Sequence, residues 1–248
     1  MPETEDDLMT MTREDATEAF ADADAALLGT GSVEQHSIHL PVSVDTLRAE
    51  HLTEELVDAA AGHDFQFVRL PTLPYGVSEH HMNLGGTITI SPDTYQDLVV
   101  DIGKSLSRHG VERLVIINCH GGNRTPLSQA ASRILREHGV ATHVVNWTDY
   151  ARERLEELFG HDEWSHAGDH ETSIIEYYRP DLVNEAKKEP QNMKAKPETR
   201  SYAYFEELTE QGGLGDPTNS DPEAMEEIIE DATNDILEAL REDIDAGW

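Results

Sequence analysis

Glu34, His36, His39 and Asp45 stand within a dozen residues of one another, in the stretch Gly29-Thr-Gly-Ser-Val-Glu-Gln-His-Ser-Ile-His-Leu-Pro-Val-Ser-Val-Asp-Thr46. Side chains of extended backbone alternate with a period of two, so Glu34 and His36 are expected on one side. A carboxylate beside an imidazole, with a second carboxylate returned by a loop, is the beginning of a metal site. A second group, Cys119-His120-Gly121-Gly122-Asn123, follows an unbroken apolar run, and its glycines allow a tight turn and close approach of backbone to a ligand. A third is Trp164-Ser-His-Ala-Gly-Asp-His-Glu-Thr-Ser173. At helical spacing His166 and His170 would share a face. A helix dipole favours acids in the first turn, which accounts for Asp169 and Glu171 but not for the histidines. The set Glu34, His36, Asp45, His120 and Glu171 holds three carboxylates and two imidazoles. Such donors suit Zn²⁺, Mn²⁺ or Fe²⁺ and argue against a thiolate site. Five donors exceed one tetrahedral zinc; two ions sharing a carboxylate, about 3.5–4 Å apart, use them better.

These residues need elements to bring them together. Ala25-Ala-Leu-Leu28 reads as a short buried strand ending in glycines, and Val111–Asn118 as a strand buried on both faces, because it is continuously apolar. Phe65–Leu73 and Ala141–Trp147 read as further strands. Apolar spacing predicts helices over Thr46–Ala61, Pro92–His109, Thr125–His138, Glu153–Phe159 and Pro222–Ile244, with another opening at His166–Glu171 and running to Tyr178. Ser91 is the expected cap of the second of these, with Pro92 at its first position. Ser78–Ser91 is read as a loop leading into a β-rich piece. Residues 1–21 form an acidic lead-in with one short helix, Arg13–Phe20, and residues 22–248 a single domain. Alternating strands and helices imply a three-layer α/β/α fold with a mainly parallel sheet. In such sheets the ligand site lies beyond the carboxyl ends of the strands, where Glu34, His36 and His120 all fall.

The 248 residues carry 50 acidic against 18 basic side chains, a formal charge of −32. That surface repels phosphate backbones and argues against nucleic-acid binding. Only five of the basic residues are lysine, and the acids are spread along the whole chain. We read this as adaptation to a salt-rich, halophilic cytoplasm, where screening suppresses self-repulsion. Cys119 is the only cysteine, which fits an intracellular protein without a disulfide. No segment is apolar enough to span a bilayer, and the acidic amino terminus lacks the pattern of a secretory leader.

Five ordered motifs resemble the successive signatures of the creatininase (creatinine amidohydrolase) family over roughly residues 25–220. They are Gly31-Ser-Val-Glu-Gln-His-Ser-Ile-His-Leu-Pro41 with Asp45-Thr46, Tyr75-Gly-Val-Ser-Glu-His-His81, Gly86-Thr-Ile88, Asn118-Cys-His-Gly-Gly-Asn123 and His166-Ala-Gly-Asp-His-Glu-Thr-Ser173. Gly215-Asp-Pro-Thr218 is similar to the family's carboxyl-terminal segment. The resemblance implies a compact α/β fold, a dinuclear metal centre, homohexamers and hydrolysis of a non-peptide C–N bond. It implies metal ligation by Glu34, His36, Asp45 and His120, with Asp45 as the bridge, and by Glu171 as the carboxylate of the last motif. Family members that act on creatinine carry Tyr-Glu after the metal histidine, and that glutamate binds metal; here Gly121-Gly122 stand in its place. Gly85 also replaces a usual proline. The H-G-G-N form resembles the branch that includes the archaeal formamidopyrimidine-nucleotide deformylase and the mycofactocin peptidase.

The reaction expected from this resemblance is attack on a small cyclic amide or formamide by water acidified between two divalent ions. Backbone N–H groups around Gly121 and Gly122 are candidates to stabilise the oxyanion. His166 is expected to carry the proton to the leaving nitrogen or to support a ligand from behind. Ser78 and His81 are candidates for substrate contact, His39 for holding the ligand loop, and Asn123 for capping the next helix. Trimming of a modified peptide and a catalytically silent metal-binding protein are the alternatives.

Overall fold

The computed structural model describes residues 6–63, 65–160, 166–194 and 198–248. Four parallel strands form its sheet: β1 (Ala25–Thr30), β2 (Phe67–Leu73), β3 (Arg113–Asn118) and β4 (Ala141–Asn146), in the order β2-β1-β3-β4. The strand pattern follows from burial on both faces. Ala25 and Leu27 of β1, with Val115 and Ile117 of β3, pack into one core; Ala26 and Leu28, with Leu114 and Ile116, pack into the other. Helices α2 (Val44–Ala61), α5 (Trp147–Phe159), α6 (Asp169–Tyr178) and α8 (Pro222–Asp245) cover the first face. Helices α3 (Pro92–Arg108) and α4 (Arg124–His138) cover the second, joined by Leu8 and by Phe20 of α1 (Arg13–Asp22). A one-turn helix α7 (Phe205–Leu208) sets the Phe205 ring against His81 and His166. The result is the α/β/α sandwich that the alternating pattern implies. Among the described residues no helix is long and apolar enough to cross a membrane.

Helix limits follow local chemistry. The Ser91 hydroxyl accepts from Thr94 N at 3.3 Å and Pro92 opens α3. Asp221 does the same for α8, accepting from Ala224 N at 3.0 Å. Helix α4 stops where Gly139 turns left-handed at φ 74°.

Four expectations need correction. Helix α5 starts at Trp147, directly after β4, rather than at Glu153. Trp147, Ala151 and Leu155 are the buried face four residues apart, and polar Thr148 and Asp149 between them hide that period. Helix α6 begins at Asp169, because Ala167 adopts φ 53°; His166 therefore precedes the helix and shares no helical face with His170. Residues 78–91 hold a 3₁₀ turn (Glu79–Leu84) and isolated pairings of Gly76 with Thr89 and Val33 with Ile88 rather than strands. Asn123 does not cap α4; its side chain accepts from Val77 N and donates to the Gly31 carbonyl, each at 3.0 Å, tying three loops together.

Candidate metal centre

The strands end in register, Thr30 opposite Asn118 and Asn118 opposite Asn146. The Asn118 amide donates to Asn146 Oδ1 at 2.9 Å and to the His120 carbonyl at 2.9 Å, so a polar row marks the sheet's carboxyl edge and fixes where the loop after β3 departs. Just beyond it lie the three sequence clusters. Glu34 and His36 come from the loop after β1, Asp45 from the first turn of α2, His120 from the loop after β3, and Glu171 from the first turn of α6. All five are at most 6% exposed.

Among the described residues four triads of potential ligands emerge: Glu34–Asp45–His120 and His36–Asp45–Glu171, which share Asp45, together with Glu34–His36–His166 and Glu34–His80–His81. His120 Nδ1 lies 3.1 Å from Asp45 Oδ2, and His36 Nε2 lies 3.6 Å from Asp45 Oδ1 and 3.5 Å from Glu171 Oε2. His166 reaches the same cluster, with Nδ1 3.7 Å from Glu34 Oε1 and 3.8 Å from Glu171 Oε2. The mouth is flanked by aromatic side chains: Phe205 stacks on His81 at 4.0 Å, and Tyr202 meets His80 edge-on at 6.4 Å between ring centroids.

Hydrogen bonds set the tautomers of these histidines. A carbonyl only accepts, so His36 Nδ1 donates to the Glu34 carbonyl at 3.0 Å, His120 Nε2 to that of Val77 at 3.0 Å, and His166 Nε2 to that of Gln35 at 2.7 Å. In the neutral ring the other nitrogen then carries a lone pair, and in all three it faces carboxylate oxygens. Lone pair against carboxylate is repulsive unless a cation lies between, and a backbone partner on the far nitrogen is the usual support of a metal-bound imidazole. His36 Nε2, Glu34 Oε2 and Asp45 Oδ2 are buried without any hydrogen-bond partner among the described residues. Three buried carboxylates meet one buried guanidinium, Arg48, so positive charge is lacking.

The protonation tendencies express the same deficit. Burial opposes charge on His36, yet Glu171 and Asp45 raise its pKa well above the usual value; His120 rises to about 9, where Glu34 and Asp45 outweigh burial. Burial lifts Glu34 to about 7 despite His120, while the histidines overcome burial to hold Asp45 and Glu171 low. Protons are drawn onto the imidazoles because positive charge is lacking there, and a divalent ion at the same place would substitute for them. His166, by contrast, is pushed down to about 3 by burial and by His36, and stays neutral.

The remaining candidate residues serve the same cluster. Buried His81 accepts from the Gln35 amide at Nδ1 (2.7 Å) and presents Nε2 to Glu34 Oε1 at 3.2 Å. Ser78 Oγ lies 2.6 Å from Ser32 Oγ and 3.1 Å from His120 Nε2. Gly122 has no room for a side chain: a Cβ there would lie 2.0 Å from the Val77 carbonyl that orients His120. Gly121 is exposed, with open space where a Cβ would point. His39 Nε2 bonds Thr172 Oγ1 at 3.0 Å, pinning the ligand loop to α6. Trp164 and Ser165 lie outside the described residues.

Sequence reasoning missed Arg48, Gln35 and His80. Arg48 donates to Asp45 Oδ1 at 2.9 Å, to Glu171 Oε1 at 3.3 Å and to the Cys119 carbonyl, joining all three clusters. Asp45 and Arg48 are three apart on one helix, but that spacing alone does not tell a buried pair from a solvated one. Gln35 accepts from Ser37 N with its side-chain oxygen, donates its amide to His81 and, through its carbonyl, accepts from His166. His80 joins His81 and Glu34 in a further potential ligand group.

The sequence profile of the creatininase family, described as creatinine amidohydrolase, matches residues 9–240. The mycofactocin precursor peptide peptidase of Mycolicibacterium smegmatis is 30% identical over 220 residues, covering 87% of this chain and 83% of that protein. The creatinine amidohydrolase of Pseudomonas putida is 27% identical over 175 residues, covering 64% and 65%. Among solved structures, a creatinine amidohydrolase (creatininase) superposes with a TM-score of 0.86 at 23% identity, covering 96% of this chain and 97% of that one. A manganese form of creatininase superposes at 0.85 and 23%, covering 96% and 98%.

Proposed function

The chain belongs to the creatininase family of hydrolases, and from that premise we propose that it is an amidohydrolase with two divalent ions, Zn²⁺, Mn²⁺ or Fe²⁺, acting on a non-peptide C–N bond of a small cyclic amide or formamide. The observation that carries this reading is the sharing of Asp45 by two buried triads. Glu34, Asp45 and His120 would hold one ion, and His36, Asp45 and Glu171 the other. Glu171 thereby supplies the carboxylate that Gly121-Gly122 cannot. Two such ions polarise a carbonyl and lower the pKa of bound water.

The chain's own residues do the rest. The backbone carbonyls of Glu34, Val77 and Gln35 fix the imidazoles of His36, His120 and His166. Arg48 and His81 position Asp45, Glu171 and Glu34. His166 keeps its bare Nδ1 toward the centre, and a neutral imidazole there can take a proton from the attacking water and return it to the leaving nitrogen. Ser78, Gly121 and Gly122 line the path by which the substrate carbonyl would approach, with Gly121 and Gly122 offering backbone N–H groups to the oxyanion. Hexameric assembly and a cytoplasmic location belong to the same reading.

A second reading, trimming of a modified peptide, is favoured by one finding: the 30% identity to a mycofactocin precursor peptide peptidase extends over 87% of the chain. One experiment addresses both. The protein is loaded with each metal, its metal content is measured, and turnover of creatinine, formamidopyrimidine nucleotides and short peptides is compared. About two ions per chain are expected, falling to about one in Glu171→Gln, with turnover of an amide or formamide. One ion or fewer in the parent would defeat the dinuclear assignment, and cleavage of peptides alone would favour the second reading.

A further inference from the structure

A cavity of about 320 Å³ lies at the carboxyl edge of the sheet, between the ends of β3 and β4 and beside the metal centre. Arg48, Arg124, Arg152, His170 and Thr148 line it, and it shares His120 and Gly121 with the centre. Among the described residues no aspartate or glutamate lines it, in a chain with 50 carboxylates against 18 lysines and arginines. Three guanidinium groups converging there run against the composition of the whole molecule.

The cavity has an inner and an outer part. On the inner wall Arg48 is 4% exposed, and its Nε–H is buried without a hydrogen-bond partner among the described residues, although its other nitrogens hold Asp45 and Glu171. A buried, unpaired guanidinium N–H costs stability unless something occupies it. On the outer wall Arg124 and Arg152 are 43% and 45% exposed and share Asp149, at 2.8 Å and 3.7 Å. Exposed ion pairs of this kind are weak and readily change partners. Arg124 opens α4, and Thr148 and Arg152 stand on the first turns of α5; neither helix is capped by the side chain of its preceding residue, so their N–H dipoles add to the positive field.

We propose that this cavity is an anion subsite of the hydrolytic centre and takes a phosphate or carboxylate group carried by the substrate. The subsite role rests on the hydrolase reading above; the binding of an anion does not. Planar guanidinium forks suit both groups, and the shared wall of His120 and Gly121 would set the anion at one end of a substrate whose scissile amide lies over the metals.

The test uses the full chain, metal-free and metal-loaded, at constant ionic strength. Titration calorimetry with inorganic phosphate and, separately, with acetate is expected to show one anion bound per metal-free chain. The tighter of the two identifies the group. In the double variant Arg124→Ala/Arg152→Ala that affinity should fall at least tenfold, with circular dichroism and metal content unchanged. Arg152→Gln alone, at an exposed helical position, should give part of the loss even if the double variant folds poorly. Failure of both anions to bind the metal-free chain, or equal binding by the parent and by Arg152→Gln, would overturn the proposal. Metal content and turnover are read separately, so loss of anion binding and loss of hydrolysis remain distinguishable.

Discussion

Carboxylates gather in two regions of this molecule, and the two are held in opposite ways. At the carboxyl edge of the sheet Glu34, Asp45 and Glu171 are buried among imidazoles and one guanidinium, each fixed by named partners. Along the groove between α2 and α8, Glu55, Asp58, Glu226 and Glu230 line a surface that no arginine or lysine lines among the described residues. The first region is organised by short-range bonds and calls for a cation of fixed position. In the second, Asp58, Glu226 and Glu230 are exposed to solvent and mobile counterions, and only Glu55 is partly buried. High negative charge is therefore one property at the level of composition and two at the level of physics: Coulomb energy is large and local inside, diffuse and screened outside.

The largest effect that separates them is expected from Asp45→Ala. Asp45 belongs to both triads, so its removal should abolish turnover and most bound metal, beyond the ~10–100-fold loss typical of a residue that only supports a ligand. Arg48→Met supplies that milder case, since it frees Asp45 and Glu171 without removing either; metal affinity should fall by about 10–100-fold. The helical circular dichroism of both variants should match the parent. Retained activity in Asp45→Ala would show that the inner carboxylates are merely structural, like the outer ones.

Salt should act on the outer region. Between about 2 M and 0.1 M KCl the screening length grows from a few ångströms to roughly 10 Å, and repulsion among the surface acids lengthens with it. The melting temperature is expected to fall by on the order of 10 °C, a few kcal/mol for a chain of this size, while metal content stays constant. An unchanged melting temperature would remove the halophilic interpretation of the charge.

How legible these two regions are in the sequence differs for a physical reason. The strands β1 and β3 are continuous apolar runs, and the residues after them fall at the ligand edge by topology alone; that is why Glu34, His36 and His120 could be brought together in advance. Helices α3 and α8 announce themselves through Ser91-Pro92 and Asp221-Pro222. Arg48 was hidden because a helical arginine ordinarily faces solvent, and its burial depends on Cys119 and Glu171, which are 71 and 123 residues away. The position of His166 off its helix depends on one left-handed residue, Ala167, for which alanine carries no signal. The isolated pairings around Thr89 depend on Asn123 and Gly76 meeting across the fold, beyond any local pattern. Packing partners distant in the chain decide what local chemistry leaves open.

The smallest effect tests the boundary between the two regions. Glu55 lines the outer groove, yet burial raises its carboxyl to about 7, against the hydrogen bond it accepts from Tyr178 at 2.9 Å and with help from Asp58 and Glu54. Because its pKa is raised in the fold, its contribution to stability is complete below its unfolded value near 4.5 and is lost as pH rises through about 7. Glu55→Gln keeps an acceptor for Tyr178 and cannot ionise. The variant should therefore match the parent near pH 4.5 and exceed it at pH 8 by on the order of 1–3 kcal/mol in denaturant unfolding. High salt should shrink this gain only slightly, since burial is its main cause and salt screens only the part due to Asp58 and Glu54. A gain that vanishes in molar KCl would place Glu55 with the screened surface acids, and a gain independent of pH would mean that its ionisation is not what the fold resists.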